Sequence, residues 1–179
     1  MPEPDDLRRL ADAAAHGDDV ALAELVRATQ PLVWRVCTHL GSAGEEEDLV
    51  QETYLRALRS LRSYRGEAPV RAWLAAVARH VCADHVRRRA RRSRLLGRLL
   101  AATPAGTPSH NGPDGLTVDA LLLDALDPDR REAFVLTQIA GLSYEEAAAA
   151  VGCPIGTIRS RVARARRELT TLIEQAEAR

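Results

Sequence analysis

The run from residue 142 to residue 169 constrains this chain more than any other stretch, because few folds can satisfy it. Ser143 followed by Glu146 predicts a helix start in which the hydroxyl and the carboxylate each satisfy an orphan backbone donor. Gly152 supplies the freedom that a tight turn between helices needs, and Pro154 suits the first turn of a second helix. Ala148, Val151, Ile158 and Val162 fall where a two-helix unit packs inward. Thr157, Arg159, Ser160, Arg161 and Arg164 remain for a partner. A second helix presented this way fits the major groove of duplex DNA. The plainer alternative is an alanine-rich hairpin with a solvated arginine face. The order of cap, glycine turn, proline and basic helix favours DNA binding.

The rest of the chain reads as helix too. Aromatic residues make up only 3% of it, and no long alternation of apolar and polar residues signals a strand. With 179 residues it can form one medium domain or two small ones. Periodicity predicts helices over 5–16, 18–40, 45–61, 70–92, 116–126 and 129–140. Asp18 or Asp19 should cap the second, and Pro31, lacking an N–H, should kink or split it. On 45–61 the expected apolar face is Val50, Tyr54, Ala57, Leu58 and Leu61; on 70–92 it is Val70, Leu74, Val77 and Val81. The pattern fails after Leu95, and Pro104, Gly106, Pro108, Pro113 and Gly115 give the composition of a flexible linker. The expected architecture is all-α: two small helical domains joined by a flexible linker, the C-terminal one a helix-turn-helix. The expected boundaries are 1–94, 95–117 and 118–179.

The formal net charge of zero conceals an alternation. Residues 1–53 hold 12 acids and 4 arginines; residues 54–98 hold 13 arginines and 2 acids. Residues 99–153 return to 8 acids and 2 arginines, and residues 154–179 to 6 arginines and 3 acids. Two basic blocks, each preceded by an acidic one, imply two nucleic-acid contacts and at least one further partner surface. Every basic residue is arginine, which suits bidentate contact with phosphate or guanine. Cys37, Cys82 and Cys153 are odd in number and far apart, so no disulfide framework is implied; Cys82 or Cys153 could be redox-sensitive, but a buried inert thiol is the better expectation. No apolar leader or long apolar span appears, which makes the cytoplasm the expected compartment.

A second constellation lies in the first half. On the helix at 45–61, Asp48, Gln51, Glu52 and Leu55 stand three or four residues apart, forming an acidic and amide-bearing face with one apolar anchor. Such a face could dock a basic helical partner or simply be solvated. The segment that follows interleaves Tyr64, Arg65, Arg71, Trp73, Arg79, His80 and Asp84 with Arg87, Arg88 and Arg89, a mixture suited to single-stranded DNA. Trp73, beside Leu74, reads more readily as core than as a stacking platform. His80 and Asp84, at i and i+4, could pair to read base edges or make a local surface bond. The string from His80 through Cys82 to His85 spreads its ligand types over different helix faces, so no metal is expected. No nucleophile–base pair or phosphate loop stands out, so neither a catalytic residue nor a cofactor is expected.

Three strings in order, Glu47 to Ala57, Arg71 to Leu74 with Ala78 to His80, and Gly141 to Arg166, resemble the extracytoplasmic-function sigma factors of the sigma-70 family. Their order is far more specific than any one of them, and the branch looks actinobacterial. The resemblance implies a non-enzymatic initiation factor that binds core RNA polymerase and directs promoter recognition and melting. It implies that Asp48, Gln51, Glu52, Leu55 and Arg56 dock on the clamp helices of the largest subunit, with the flap as a further contact. Tyr64, Arg71, Trp73, Arg79, His80, Asp84, Arg87 and Arg88 would melt and read the minus-ten element. Residues 95–117 would thread toward the active-site and RNA-exit region. Thr157, Arg159, Ser160, Arg161, Ala163 and Arg164 would face the minus-thirty-five duplex. The chain departs from common family usage at His80, where Asn is frequent, and at Ala163, where a larger residue is common. An anti-sigma factor would suit docking faces on both domains. The rival reading is a free-standing helix-turn-helix regulator that binds duplex DNA tightly by itself.

Overall fold

A computed structural model describes residues 4–101 and 118–177; the rest of the expected linker, 102–117, lies outside them. Among the described residues every regular element is a helix. The first half holds α1 (Pro4–Ala15), α2 (Asp19–Leu40), α3 (Glu46–Leu61) and α4 (Val70–Ala101). The second holds α5 (Val118–Asp124), α6 (Pro128–Phe134), a π-helical stretch (Val135–Ile139), α7 (Tyr144–Val151) and α8 (Ile155–Glu177).

Several of these boundaries follow from local chemistry. Asp18 caps α2 by accepting from the N–H groups of Val20 and Ala21, and Asp127 caps α6 through Asp129 N–H. Pro31 does not split α2. It lies exposed, as does Arg27, whose carbonyl it leaves without a helical partner, so water can take that bond. The buried side chains of α2 on either side, Leu25, Thr29, Leu32, Val33, Val36 and Cys37, keep the helix on the core. Helix α4 continues past Leu95 to Ala101, through a run rich in Arg, Leu and Ala, all strong helix formers. The expected helix at 129–140 changes character at Val135, where Ala140 N–H reaches back five residues to Val135 O at 2.8 Å.

The core has three parts. Leu7, Ala11, Leu25, Ala57, Leu61, Val70 and Leu74 join α1 to the other three helices of the first half. Leu123, Leu126, Val135 and Ala165 pack within the second half. The largest cluster belongs to both halves. In it Val33, Val36, Ala72, Ala75, Ala78 and Val81 meet Leu136, Ala140, Leu142, Ala147, Ile158 and Val162. Alanines on α4 and α7 let these two helices approach closely, so the apolar residues of each half complete the interior of the other.

Candidate functional site

The helix-turn-helix forms as its residue order predicts. Glu146 N–H donates to Ser143 Oγ at 3.1 Å, and Ser143 N–H donates to Glu146 Oε2 at 2.8 Å, completing the capping box. Gly152 turns the chain with φ +77°, and nothing lies within 4 Å of where a Cβ would stand, so backbone conformation rather than crowding requires glycine. Ala148, Ile158 and Val162 are buried and Val151 is half-buried, as the inward set requires. On α8, Arg159, Ser160, Ala163 and Arg164 are exposed, and Thr157 is half-buried beside them. Arg161 departs from this set: its guanidinium turns back to Asp129 at the start of α6. The Arg161 side chain is thereby laid along the α6–α8 seam. Arg130 and Glu168 tie the same helices at 2.7 Å.

On α3, Asp48 and Gln51 are exposed, Leu55 is 49% exposed and Glu52 is half-exposed. The face therefore exists as expected, with one addition. Leu58, assigned to the core by spacing, is 38% exposed and extends the stripe Asp48, Gln51, Leu55, while Leu49 and Thr53 are buried in its place. The helical phase of Leu49 and Thr53 with Ala57 could have revealed this, but Thr53 does not look like a core residue. It is one because its hydroxyl donates to Leu49 O at 2.7 Å, which satisfies it without water. Arg56, expected on the same face, donates instead to Glu52 at 2.7 Å and to Asp84 of α4 at 2.8 Å.

The residues expected to meet the melted strand fall into three groups. Tyr64 and Trp73 are both half-buried and stack on each other, ring centroids 4.9 Å apart, so neither is a free platform. Burial pushes the Tyr64 hydroxyl up from its ordinary pKa, and that hydroxyl donates to Ala68 O. The loop carrying Tyr64 is held by Arg8, whose Nη1 donates to Gly66 O at 3.2 Å. Any Cβ at Gly66 would fall on that guanidinium, and its φ of +70° demands glycine as well. Arg8 was not singled out by the sequence.

Arg71 and Arg79 form the second group, and the second half covers them. Arg71 pairs with Glu146 at 3.3 Å and donates to Gly141 O at 2.7 Å; its side chain is 11% exposed. Arg79 donates to Glu132 at 2.8 Å and is 19% exposed. Nothing local in the sequence marks Glu132 and Glu146 as partners, since they lie 53 and 75 residues away.

The third group is open. His80 is exposed. Its Nε2 faces Arg79 Nη1 at 3.1 Å, and the expected pairing with Asp84 is replaced. Asp84 gives one oxygen to Arg56 and the other to Arg87, at 2.8 and 2.6 Å. The two guanidinium groups, Arg56 first, hold its carboxyl down at a pKa of about 2. Arg88, Arg89 and Arg92 line a shallow cleft with Glu45 and His85. Of the cysteines, Cys37 and Cys82 are buried and Cys153 is half-buried. The Cys82 thiol is pushed up, first by its hydrogen bond with Cys37 and then by burial, so it stays protonated.

The Sigma-70 region 2 model matches residues 25–92, and the Sigma-70, region 4 model matches residues 120–169. The ECF RNA polymerase sigma factor SigC of Mycobacterium tuberculosis is 43% identical over 165 residues, covering 88% of this chain and 85% of its own. The chain belongs to the extracytoplasmic-function sigma factors. The sigma-E factor of Escherichia coli is 29% identical over 92% of this chain and 93% of its own. Among solved structures, CnrH in complex with the cytosolic domain of CnrY matches with a TM-score of 0.74 at 30% identity, over 95% of this chain and 98% of that one. RpoE in complex with the anti-sigma factor NepR from Bartonella quintana matches at 0.70 and 32%, over 86% and 96%. As a sigma factor the chain is a transcription regulator that binds core RNA polymerase and directs promoter recognition and melting. No described helix is long and apolar enough to cross a membrane.

Proposed function

We propose that this sigma factor divides promoter reading between its halves. Residues 1–94 dock polymerase and take the minus-ten element, residues 95–117 connect, and residues 118–179 take the minus-thirty-five element. The stripe Asp48, Gln51, Leu55 and Leu58, with Glu52, meets the clamp helices of the polymerase largest subunit. Its acids complement a basic surface and its two exposed leucines give it an apolar anchor. Arg159, Ser160, Ala163 and Arg164 meet the duplex in the major groove. His80, Arg87 and Arg88, joined by Arg71 and Arg79, take the melted strand. No chemical step of its own and no cofactor belongs to this role, which places the chain in the cytoplasm with polymerase. The flap of polymerase is the natural second contact for residues 118–179, and an anti-sigma factor has open faces on both halves to seize.

The observation that carries this reading is the covering of Arg71 and Arg79 by acids of the second half while α8 stays open. Elements centred at minus ten and minus thirty-five lie roughly 25 base pairs apart, about 85 Å along a duplex at ~3.4 Å per pair. Two halves that share one apolar cluster cannot reach both at once. The packed arrangement is therefore that of the free protein, and promoter binding separates the halves. A free-standing regulator would have no reason to bury strand-binding arginines against its own helix-turn-helix.

Run-off transcription with purified core polymerase, on a promoter recovered by genome-wide binding of the tagged protein, tests the reading. The expected result is a defined transcript that core alone does not make. Asp48→Ala with Glu52→Ala should abolish core binding in a pull-down while leaving helicity unchanged. Tight binding of the isolated protein to duplex promoter, with no gain from polymerase, would instead support the free-standing regulator.

A further inference from the structure

Arg56 stands at a junction that neither the docking face nor the strand-binding face explains alone. Its Nε donates to Glu52 Oε1 at 2.7 Å on its own helix, and its Nη1 to Asp84 Oδ2 at 2.8 Å on α4. The remaining oxygen of Asp84 accepts from Arg87 Nη2 at 2.6 Å. Four charged side chains thus form one line, Glu52–Arg56–Asp84–Arg87, crossing from α3 to α4. Their side chains are between 31% and 61% exposed, and ion pairs that exposed add little to stability. What the line fixes is direction. A planar guanidinium can hold two carboxylates at a set angle, which a single ammonium on a flexible stem does not do. Each oxygen of Asp84 already accepts from one arginine, so its carboxylate ties the direction of Arg87 to that of Arg56.

We propose that Arg56 is a positioning residue for strand binding: anchored on its own helix by Glu52, it orients Arg87 through Asp84. The inference rests on the reading above, in which α3 meets polymerase and α4 meets the melted strand. It departs from what the family resemblance implies in taking Arg56 off the list of direct polymerase contacts.

The test uses holoenzyme assembled from core and full-length wild-type, Arg56→Lys, Asp84→Asn or Arg87→Ala protein, and from the double variants with Arg87→Ala. Core affinity is measured by fluorescence anisotropy. Binding to a premelted promoter is followed over a salt series. Arg87→Ala should reduce the slope of log affinity against log salt by about 0.7, the share of one single-strand phosphate. Arg56→Lys and Asp84→Asn should each reduce it by a similar amount, with no further loss when Arg87→Ala is added, and core affinity should stay within about twofold. Arg56→Lys keeps the charge and the helix propensity, and a thermal melt checks that each variant folds. A wild-type salt slope in a folded Arg56→Lys or Asp84→Asn holoenzyme overturns the proposal. So does a large loss of core affinity with the slope unchanged, which would make Arg56 a polymerase contact. A wild-type holoenzyme that opens no promoter would fail one level earlier, at the sigma-factor reading itself.

Discussion

Arg159, Ser160, Ala163 and Arg164 on α8 point into solvent, whereas Arg71 and Arg79 on α4 are held by Glu146 and Glu132 and nearly buried. Both surfaces are arginine-rich and both are bound for DNA in the proposed reading, yet α8 is open whereas on α4 only His80, Arg87 and Arg88 are open and Arg71 and Arg79 are masked. The difference follows from what each surface does. A duplex reader can be exposed at little cost because the major groove must be found by polymerase anyway. A strand reader left open would bind any single-stranded nucleic acid, since stacking and phosphate contacts carry little sequence information. In the proposed reading, covering Arg71 and Arg79 with the second half withholds their share of that binding until the halves part.

Removing the cover's foundation should give the largest effect. Ile158 is fully buried in the cluster shared by both halves, so Ile158→Ala should cost about 2–5 kcal/mol, read as an earlier urea transition. The same variant should bind a minus-ten single strand more tightly than wild type, because Arg71 and Arg79 lose their acidic partners as the second half loosens. Gly152→Ala acts on the turn alone. Placing a Cβ at φ +77° should cost about 1–2 kcal/mol and weaken duplex binding in holoenzyme, with the melting temperature as the check. Glu132→Gln with Glu146→Gln is gentler. Glutamine preserves the capping box, so only the two ion pairs change. Each pair is worth about 1 kcal/mol, and fluorescence titration with a minus-ten oligonucleotide should show roughly fivefold tighter binding per pair released. Duplex binding through α8 should not move.

Much of this comparison could be read from the residues in order, and part of it could not. Ser143, Glu146, Gly152 and the inward set of the helix-turn-helix act through contacts a few residues apart, so spacing alone reveals them. The exposed Asp48, Gln51 and Leu55 were legible for the same reason. Pro31 misleads because its cost depends on whether the orphaned carbonyl meets water, which only the packed fold decides. Leu58 and Thr53 exchange places because a hydroxyl can bond back along its own helix and so enter the core. The pairings of Arg71, Arg79 and Arg161 join residues from 32 to 75 positions apart, and no local rule selects one carboxylate among the many that an acidic block offers.

The smallest expected effect concerns pH. Asp84 is held at a pKa of about 2, below the ordinary carboxylate value near 3.9. Its pairing therefore contributes fully above that ordinary value and is lost only as pH falls toward 2. Promoter binding between pH 5 and 9 should show no step that Asp84→Asn removes, and NMR titration of its carboxyl carbon should find the low midpoint.

In the proposed reading the two halves lie packed in the free protein and part on promoter-bound polymerase. Fluorophores placed through non-natural amino acids at exposed Arg59 and Thr171 would report the separation directly. High energy transfer in the free protein, falling steeply in a transcriptionally competent holoenzyme–promoter complex, is the predicted result. Unchanged transfer between free protein and active complex would contradict the account.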